Sequence, residues 1–350
     1  MCNRVAAVAL AIAALATPQA HADAVADFYK GKQINLIVGY GPGGGYDIYA
    51  RLVGRYLGRH IPGHPAVVVQ NMPGAGSLRA VNYLYNLAPK DGTTIAHFAR
   101  NMPLLGMLGN NQNVQFDARR FVWLGSSSSF ANDAYILIVR NDAPAKTIED
   151  ARRAGGEPLV LGGTAEGATG NDVPIILHDT IGLNVKQVVG YPDSGALYLA
   201  MERGEVHGRT TDLSSVKAVK PDWLKPNSGF HVLVQFARAT RHPEFPDVPT
   251  ARELARNETA RALIELTELP YTLSRPFAAP PGVPDDRAKA LQDAFMATNR
   301  DPLYLDEAAR LNVDVSPVSA TEVVHALHRI EKAPPQLLDY LRKLFAESKG

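Results

Sequence analysis

The chain has 350 residues, of which 46% are hydrophobic and 20% charged, with a formal net charge of +1. That length holds two domains of ordinary size, each able to bury its own core. The near-zero charge supplies no field that would draw the protein to nucleic acid or an anionic membrane, and the only cysteine is Cys2.

The first 22 residues differ in composition from the rest. Arg4 precedes an unbroken apolar run from Val5 to Ala16, and Ala20-His21-Ala22 has small residues at both ends. This is the pattern of a secretory signal peptide cleaved after Ala22. The run of about a dozen residues is shorter than the roughly 20 that span a bilayer. The expectation is therefore a periplasmic protein whose mature chain starts at Asp23. Cys2 leaves with the leader, so disulfides and thiolate chemistry are excluded from the mature form.

Strands and helices then alternate. A strand is predicted over 34–38, a helix over 46–59, a strand over 66–69, a helix over 77–87 and a strand over 93–99, the alternation of an α/β domain with a parallel sheet. Tyr135 to Val139 is strongly apolar. A helix over 147–154, a strand over 159–161, a helix over 171–181, a strand at 188–189 and a helix over 194–203 repeat the theme. A strand at 207–209 and another over 231–236 follow. The segment 275–279 reads as a strand, and helices are predicted over 284–299, 302–310, 319–332 and 334–347. The expected organisation is a discontinuous first domain, 23–141 and 231–350, with 142–230 inserted as the second, and crossings near 135–141 and 231–237.

The informative chemistry follows the first two strands. Loop one is Tyr40-Gly41-Pro42-Gly43-Gly44-Gly45-Tyr46-Asp47, and loop two is Asn71-Met72-Pro73-Gly74-Ala75-Gly76-Ser77. Each joins a strand to a helix start. Glycine allows a sharp bend and close approach of a ligand, and a helix start offers unpaired N–H donors and partial positive charge. Such a loop binds an anion without a lysine or arginine. Two of them on neighbouring strands lie at the carboxyl edge of one sheet, where open α/β sheets bind ligands. Gly39-x-Gly41-x-x-Gly44 also spells a dinucleotide fingerprint, but the second strand ends in Gln70 and Asn71 and lacks the acid that would hold a ribose.

In combination these segments resemble the Bug family, the extracytoplasmic solute receptors of tripartite tricarboxylate transporters. The resemblance rests on Pro42-Gly43-Gly44-Gly45-Tyr46-Asp47, Asn71 to Gly76, Asp91-Gly92-Thr93, Pro246-Asp247-Val248-Pro249-Thr250 and Ala279-Pro280-Pro281-Gly282-Val283-Pro284, and covers most of 30–330. It implies an α/β, two-lobed periplasmic-binding-protein fold (type II, Venus-flytrap) with a cleft between two α/β domains. It also implies a small organic carboxylate as ligand and delivery to a large and a small membrane subunit. Carried over, the first-lobe contacts fall on Gly43, Gly44, Gly45, Tyr46 and Asp47, and on Pro73, Gly74, Ala75, Gly76 and Ser77. Three positions depart from the family pattern. Gly41 precedes Pro42 where a second proline is frequent, Ser77 stands where glycine is common, and Gly204-Glu205-Val206-His207 replaces Gly-x-Val-Asp.

The residues themselves add further candidates. Gly162 to Gly170 is a third Gly/Thr-rich loop, so Thr164, Gly167 and Thr169 are placed to meet the far end of a ligand. Tyr191, Ser194, Thr211 and Asp212 lie near strand ends or helix starts in the same domain. Arg100 and Asn101 end the third strand, Arg100 either pairing with a second carboxylate or lying on the surface. Ser127 belongs to a serine run that either donates hydroxyls or forms a polar turn. Glu322, His325 and His328 share a helix face, read as solvated and not as a metal site, and His207 is either a pH-sensitive contact or a plain surface residue. The chain has no Gly-x-Ser-x-Gly, His-Glu-x-x-His, Cys-x-x-Cys or Walker sequence. A binding protein with no cofactor, no metal and no catalytic residue accounts for these features together. A carboxylate-sensing module for signalling fits the same residues, and an exported nicotinamide-dependent oxidoreductase fits only Gly39 to Gly44.

Overall fold

The computed structural model describes residues 24–347 apart from 110, 154 and 166. The predicted leader, with Cys2, lies outside the described residues. In chain order the strands are β1 (Gln33–Val38), β2 (Ala66–Asn71), β3 (Thr94–His97), β4 (Val122–Ser126), β5 (Tyr135–Arg140), β6 (Leu159–Gly162), β7 (Val185–Val188), β8 (Gly208–Asp212), β9 (Phe230–Phe236), β10 (Pro276–Ala279) and β11 (Val318–Ser319). They form two sheets, ordered β11-β4-β10-β3-β1-β2 and β7-β6-β8-β5-β9.

In the first sheet β1 pairs in parallel with β2 and β3. With neighbours on both sides, β1 reads as almost continuously apolar and is buried from Leu36 to Val38, as a central parallel strand must be. β2 alternates exposed and half-buried residues, as an edge strand does. The register sets Val38 beside both Asn71 and His97. Loop one, loop two and Arg100 therefore leave the sheet at one edge. β10 runs antiparallel between β3 and β4. The Gly45–His60 helix lays Tyr49, Leu52, Val53, Tyr56 and Leu57 on this sheet, at the three- and four-residue spacing of one helix face.

The second sheet has β6 parallel to β7 and β8, and β5 antiparallel to β8 and β9. The α/β class and two-lobed arrangement expected from the sequence are present. The expected boundaries are not where the sheets divide. β5 and β9, assigned to the first domain, both pair in the second sheet, and the Glu258–Glu268 helix packs there too, with Leu263 and Ile264 in one core with Ile176 and Leu177. The chain crosses between sheets over 127–134 and returns over 269–275. It then crosses a third time, because Leu341 and Phe345 of the Pro335–Glu347 helix enter the second lobe's core. An apolar run such as Tyr135 to Val139 suits either sheet, and only long-range pairing decides.

The sequence reading also missed β4 and the Met102–Leu108, Leu213–Val219 and Glu258–Glu268 helices. The 147–154 helix shrinks to Ile148–Ala151, held by a capping box between Thr147 and Asp150. Glu322 is likewise spent on a capping box with Ser319, and no cluster of three metal-ligating side chains occurs among the described residues. His207 accepts a hydrogen bond from the Val160 amide at 3.0 Å, which ties it to the second sheet. No described helix is long and apolar enough to cross a membrane.

Two buried acids give the fold a pH dependence. Burial pushes Glu268 up to about 7, outweighing its partner Arg252, while its carboxylate accepts the Ala237 amide at 2.8 Å. Burial and the charge of Asp212 raise Asp133 to about 6. Between pH ~4 and ~7 the folded chain therefore holds protons that the unfolded chain has released, so these groups make stability fall as pH rises. At ~1.36 kcal/mol per unit, each contributes of the order of 2–3 kcal/mol across that window. Acids held low, such as Asp47, contribute in the opposite sense, with stability lost as pH falls below ~4. The melting temperature is expected to be a few degrees lower at pH 8 than at pH 5.5, with Glu268→Gln removing about two thirds of the drop, because Asp133, at about 6, has released much of its effect before pH 5.5. An equal or higher melting temperature at pH 8 would overturn this account.

Candidate functional site

Loop one ends at Gly44, which precedes the Gly45–His60 helix without a side-chain cap, and Gly44, Gly45 and Tyr46 at this helix start line the space between the lobes. Asp47 does not. It is buried and turned back, accepting hydrogen bonds from the Gly43 amide at 2.9 Å, Arg51 at 2.9 Å and Asn71 at 2.8 Å. Burial would raise its carboxyl, but Arg51, Gly43 and Asn71 together hold it below the usual range. Asn71 also donates to the Tyr40 carbonyl at 2.9 Å. Loop two thus braces loop one.

Residues 73–77 are not among the residues that line the cleft cavity. Pro73, Gly74 and Ala75 are exposed on the first lobe, and Gly76 and Ser77 are buried beneath them. Ser77 has φ 90°, a left-handed conformation that favours glycine. Its hydroxyl compensates, donating to the Gly39 carbonyl at 3.2 Å and accepting from the Ala99 amide at 3.1 Å. This accounts physically for serine at a position where the family often has glycine.

The lobes meet across a narrow cavity. Its walls are Tyr40, Gly41, Gly44, Gly45 and Tyr46 from the first lobe, Arg275 from the returning crossing, and second-lobe residues including Thr164, Thr169, Ser194, Arg209, Thr211, Asp212 and Ser215. It encloses about 40 Å³ of room for water-sized occupants. The starts of the Thr169–Ile181, Ser194–Arg203 and Leu213–Val219 helices reach the same cavity from the second lobe. Contact is close enough that a Cβ added at Gly41 would lie 2.7 Å from Asp193, and one at Gly45 2.4 Å from the Ser215 hydroxyl.

Three buried guanidinium groups dominate the electrostatics. Arg100 is fully buried, which excludes its reading as a surface residue. It donates through Nη2 to Asp212 Oδ1 at 2.6 Å and is surrounded by the rings of Tyr271, Phe130, Tyr135 and Tyr46, with its Cζ 4.8–5.8 Å from their centres. Arg275 reaches Asp212 Oδ2 at 3.1 Å and lies over Tyr46 and Tyr49. Burial would raise the Asp212 carboxyl, but these two cations hold it down at about 2. Arg209, 5% exposed, stacks on Tyr198 and makes only two long contacts, to the Thr210 and Ser194 carbonyls at 3.4 and 3.5 Å. It has no acidic partner among the described residues. Aromatic faces stabilise such cations partially, and a buried cation without a counter-ion is costly unless something anionic meets it.

A family model described as "Tripartite tricarboxylate transporter family receptor" matches residues 55–331. The chain belongs to this family of solute-binding receptors. The receptor is 28% identical over 321 residues to the UPF0065 protein in the gbd 5' region of Cupriavidus necator, covering 88% of this chain and 87% of that one. It is 25% identical over 308 residues to a UPF0065 protein of Bordetella pertussis, covering 84% and 85%. Among solved structures, the fold is shared with the periplasmic binding protein BugD at TM-score 0.70, 17% identity and coverage of 90% and 98%. It is shared with Rpa4515 of Rhodopseudomonas palustris with adipate at TM-score 0.68, 19% identity and coverage of 90% and 97%. MatC of the same organism with bound malate aligns at TM-score 0.64, 16% identity and coverage of 90% and 99%.

Of the residues singled out from the receptor's sequence, Gly44, Gly45, Tyr46, Thr164, Thr169, Ser194, Thr211 and Asp212 line the cavity. Gly43, Asp47, Tyr191 and Ser127 do not. Ser127 sits where β4 meets the crossing, its amide donating to the Arg275 carbonyl. Asn101 donates to Asp172 across the lobes at 2.8 Å, and Gly167 packs beside Leu105 and Met102, so both act at the lobe contact. Sequence reasoning missed Arg209, Arg275, Tyr135 and Ser215. Arg275 sits beside a proline at a strand start, and Arg209 is one polar residue in the Gly208–Asp212 strand. Neither position carries a local signal of its surroundings.

Proposed function

We propose that the receptor captures a small organic carboxylate in the periplasm and hands it to the large and small membrane subunits of a tripartite transporter. The observation that carries this reading is the buried Arg209 guanidinium, without an acidic partner among the described residues, facing the uncapped start of the Gly45–His60 helix across the cavity. One acid group of the ligand lies on Arg209, and the loop-one amides hold the ligand from the first lobe. The hydroxyls of Thr164, Thr169, Ser194 and Thr211 surround its body. Two or three hydrogen bonds to a charged group at ~1.5–3 kcal/mol each, with helix-dipole help of ~0.3–1 kcal/mol, approach the ~8 kcal/mol of micromolar binding. The malate of MatC and the adipate of Rpa4515 are small organic carboxylates. The groups at the cavity supply hydrogen bonds and charge, which is what capture of an anion requires.

Calorimetry with butyrate, malate, adipate, citrate and benzoate tests the reading. At least one is expected to bind with micromolar affinity, while NAD does not. Failure of every carboxylate, or binding of NAD instead, would overturn it. The leader is proposed to be removed after Ala22. Sequencing the secreted protein should return Asp23 first, and an intact residue 1 would count against export by this route.

A further inference from the structure

We propose that Asp212 is a built-in carboxylate that occupies an interior anion subsite of the cleft and thereby sets how many acid groups the ligand carries. This deepens the proposed function and rests on it for the ligand class. Asp212 has the position that a bound acid would take. It ends β8 on the second lobe, yet its two oxygens meet Arg100 at 2.6 Å from the first lobe and Arg275 at 3.1 Å from the returning crossing, and Ser215 donates to it at 3.3 Å. All three charged residues are at least nine-tenths buried.

The subsite is richer in donors than one carboxylate uses. Arg100 Nη1 and Arg275 Nε and Nη1 have no hydrogen-bond partner among the described residues. The two cations share Asp212 as their ion-pair partner, and buried Asp133, pushed up to about 6 by burial and by the charge of Asp212, is a further acid in their surroundings. Asp212 is also bound to both sides of the cleft, so while it holds the pair, a ligand acid is directed to Arg209 and the loop-one amides. Substituting the acid by a neutral residue would turn the interior pair into a receptor for one additional carboxylate.

The first test is chemical rescue, which requires no knowledge of the natural ligand. Asp212→Ala vacates space for a free carboxylate. Acetate at tens of millimolar is expected to raise the melting temperature of Asp212→Ala by several degrees beyond matched sodium chloride, with little change in wild type. If the variant folds only in acetate, that is the same result. No gain over chloride, or no folding under either condition, overturns the proposal. The second test compares succinate with propane-1,2,3-tricarboxylate. Asp212→Asn is expected to shift the preference toward the tricarboxylate by tenfold or more, and Asp212→Glu to keep the wild-type order. An unchanged preference in Asp212→Asn overturns the proposal. Rescue by acetate combined with no binding of any larger carboxylate would preserve the subsite and reject the proposed ligand class instead.

Discussion

Gly45→Val is expected to reduce ligand affinity more than 100-fold while the protein remains folded. Gly45 opens its helix without a left-handed φ, so the backbone accepts a larger residue. The obstacle is the opposite lobe. The first added carbon would lie 2.4 Å from the Ser215 hydroxyl and 3.1 Å from Arg275 Nη2. Ser215 cannot turn away freely, because it accepts from Arg275 and donates to Asp212, each at 3.3 Å. Valine adds two methyl groups beyond that carbon, and overpacking alone costs ~1–3 kcal/mol. The lobes would stay apart, and the donors of the second lobe would not reach a ligand held by the first. Small-angle scattering should show no ligand-dependent contraction in this variant, against a contraction in wild type on lobe closure. Gly45→Ala combined with Ser215→Ala should recover much of the affinity. Binding by folded Gly45→Val within threefold of wild type would show that the ligand is held without this contact.

Arg209→Gln is expected to separate binding from stability. A ligand acid deprived of its buried cation loses ~2–5 kcal/mol, so affinity should fall about 30-fold or more. The melting temperature should hold or rise, because the change removes a buried charge that has no acidic partner among the described residues. Arg275→Gln should behave oppositely in stability, since it strips Asp212 of a cation at 3.1 Å. Calorimetry and thermal melting on the two variants make the comparison. Unchanged affinity in Arg209→Gln together with a lower melting temperature would assign Arg209 a structural role.

Loop one was legible because a glycine run between an apolar strand and an amphipathic helix has few other uses, and Gly44 and Gly45 stand at the cavity. Loop two has the same local signature, yet its residues are not among those that line the cavity. Whether a Gly-rich turn meets a ligand or braces its neighbour depends on Asn71, whose contacts with Tyr40 and Asp47 span 24 to 31 residues. The arginines were less legible still. Arg100 meets Asp212 across 112 residues of chain, a distance over which spacing and periodicity carry no information. The domain boundaries failed for the same reason, since β5 and β9 are apolar strands whose sheet is decided by partners far away.

The last helix has a bearing on how the molecule is assembled. Leu341 and Phe345 complete a core whose other members begin at Leu104 and include Ile176, Leu177 and Leu263. Tyr340 reaches Asp179 at 3.0 Å, and Arg342 reaches the Leu108 carbonyl at 2.6 Å. The second lobe's core therefore draws on the carboxyl-terminal helix. That core stays open until residue 345 has emerged, so a chain delivered amino-end first holds an unfinished lobe throughout its delivery. Contacts this distant in sequence also slow the search for the native state. A chain clipped before residue 335 should start to collapse normally and then stall with that apolar surface uncovered, a species prone to self-association.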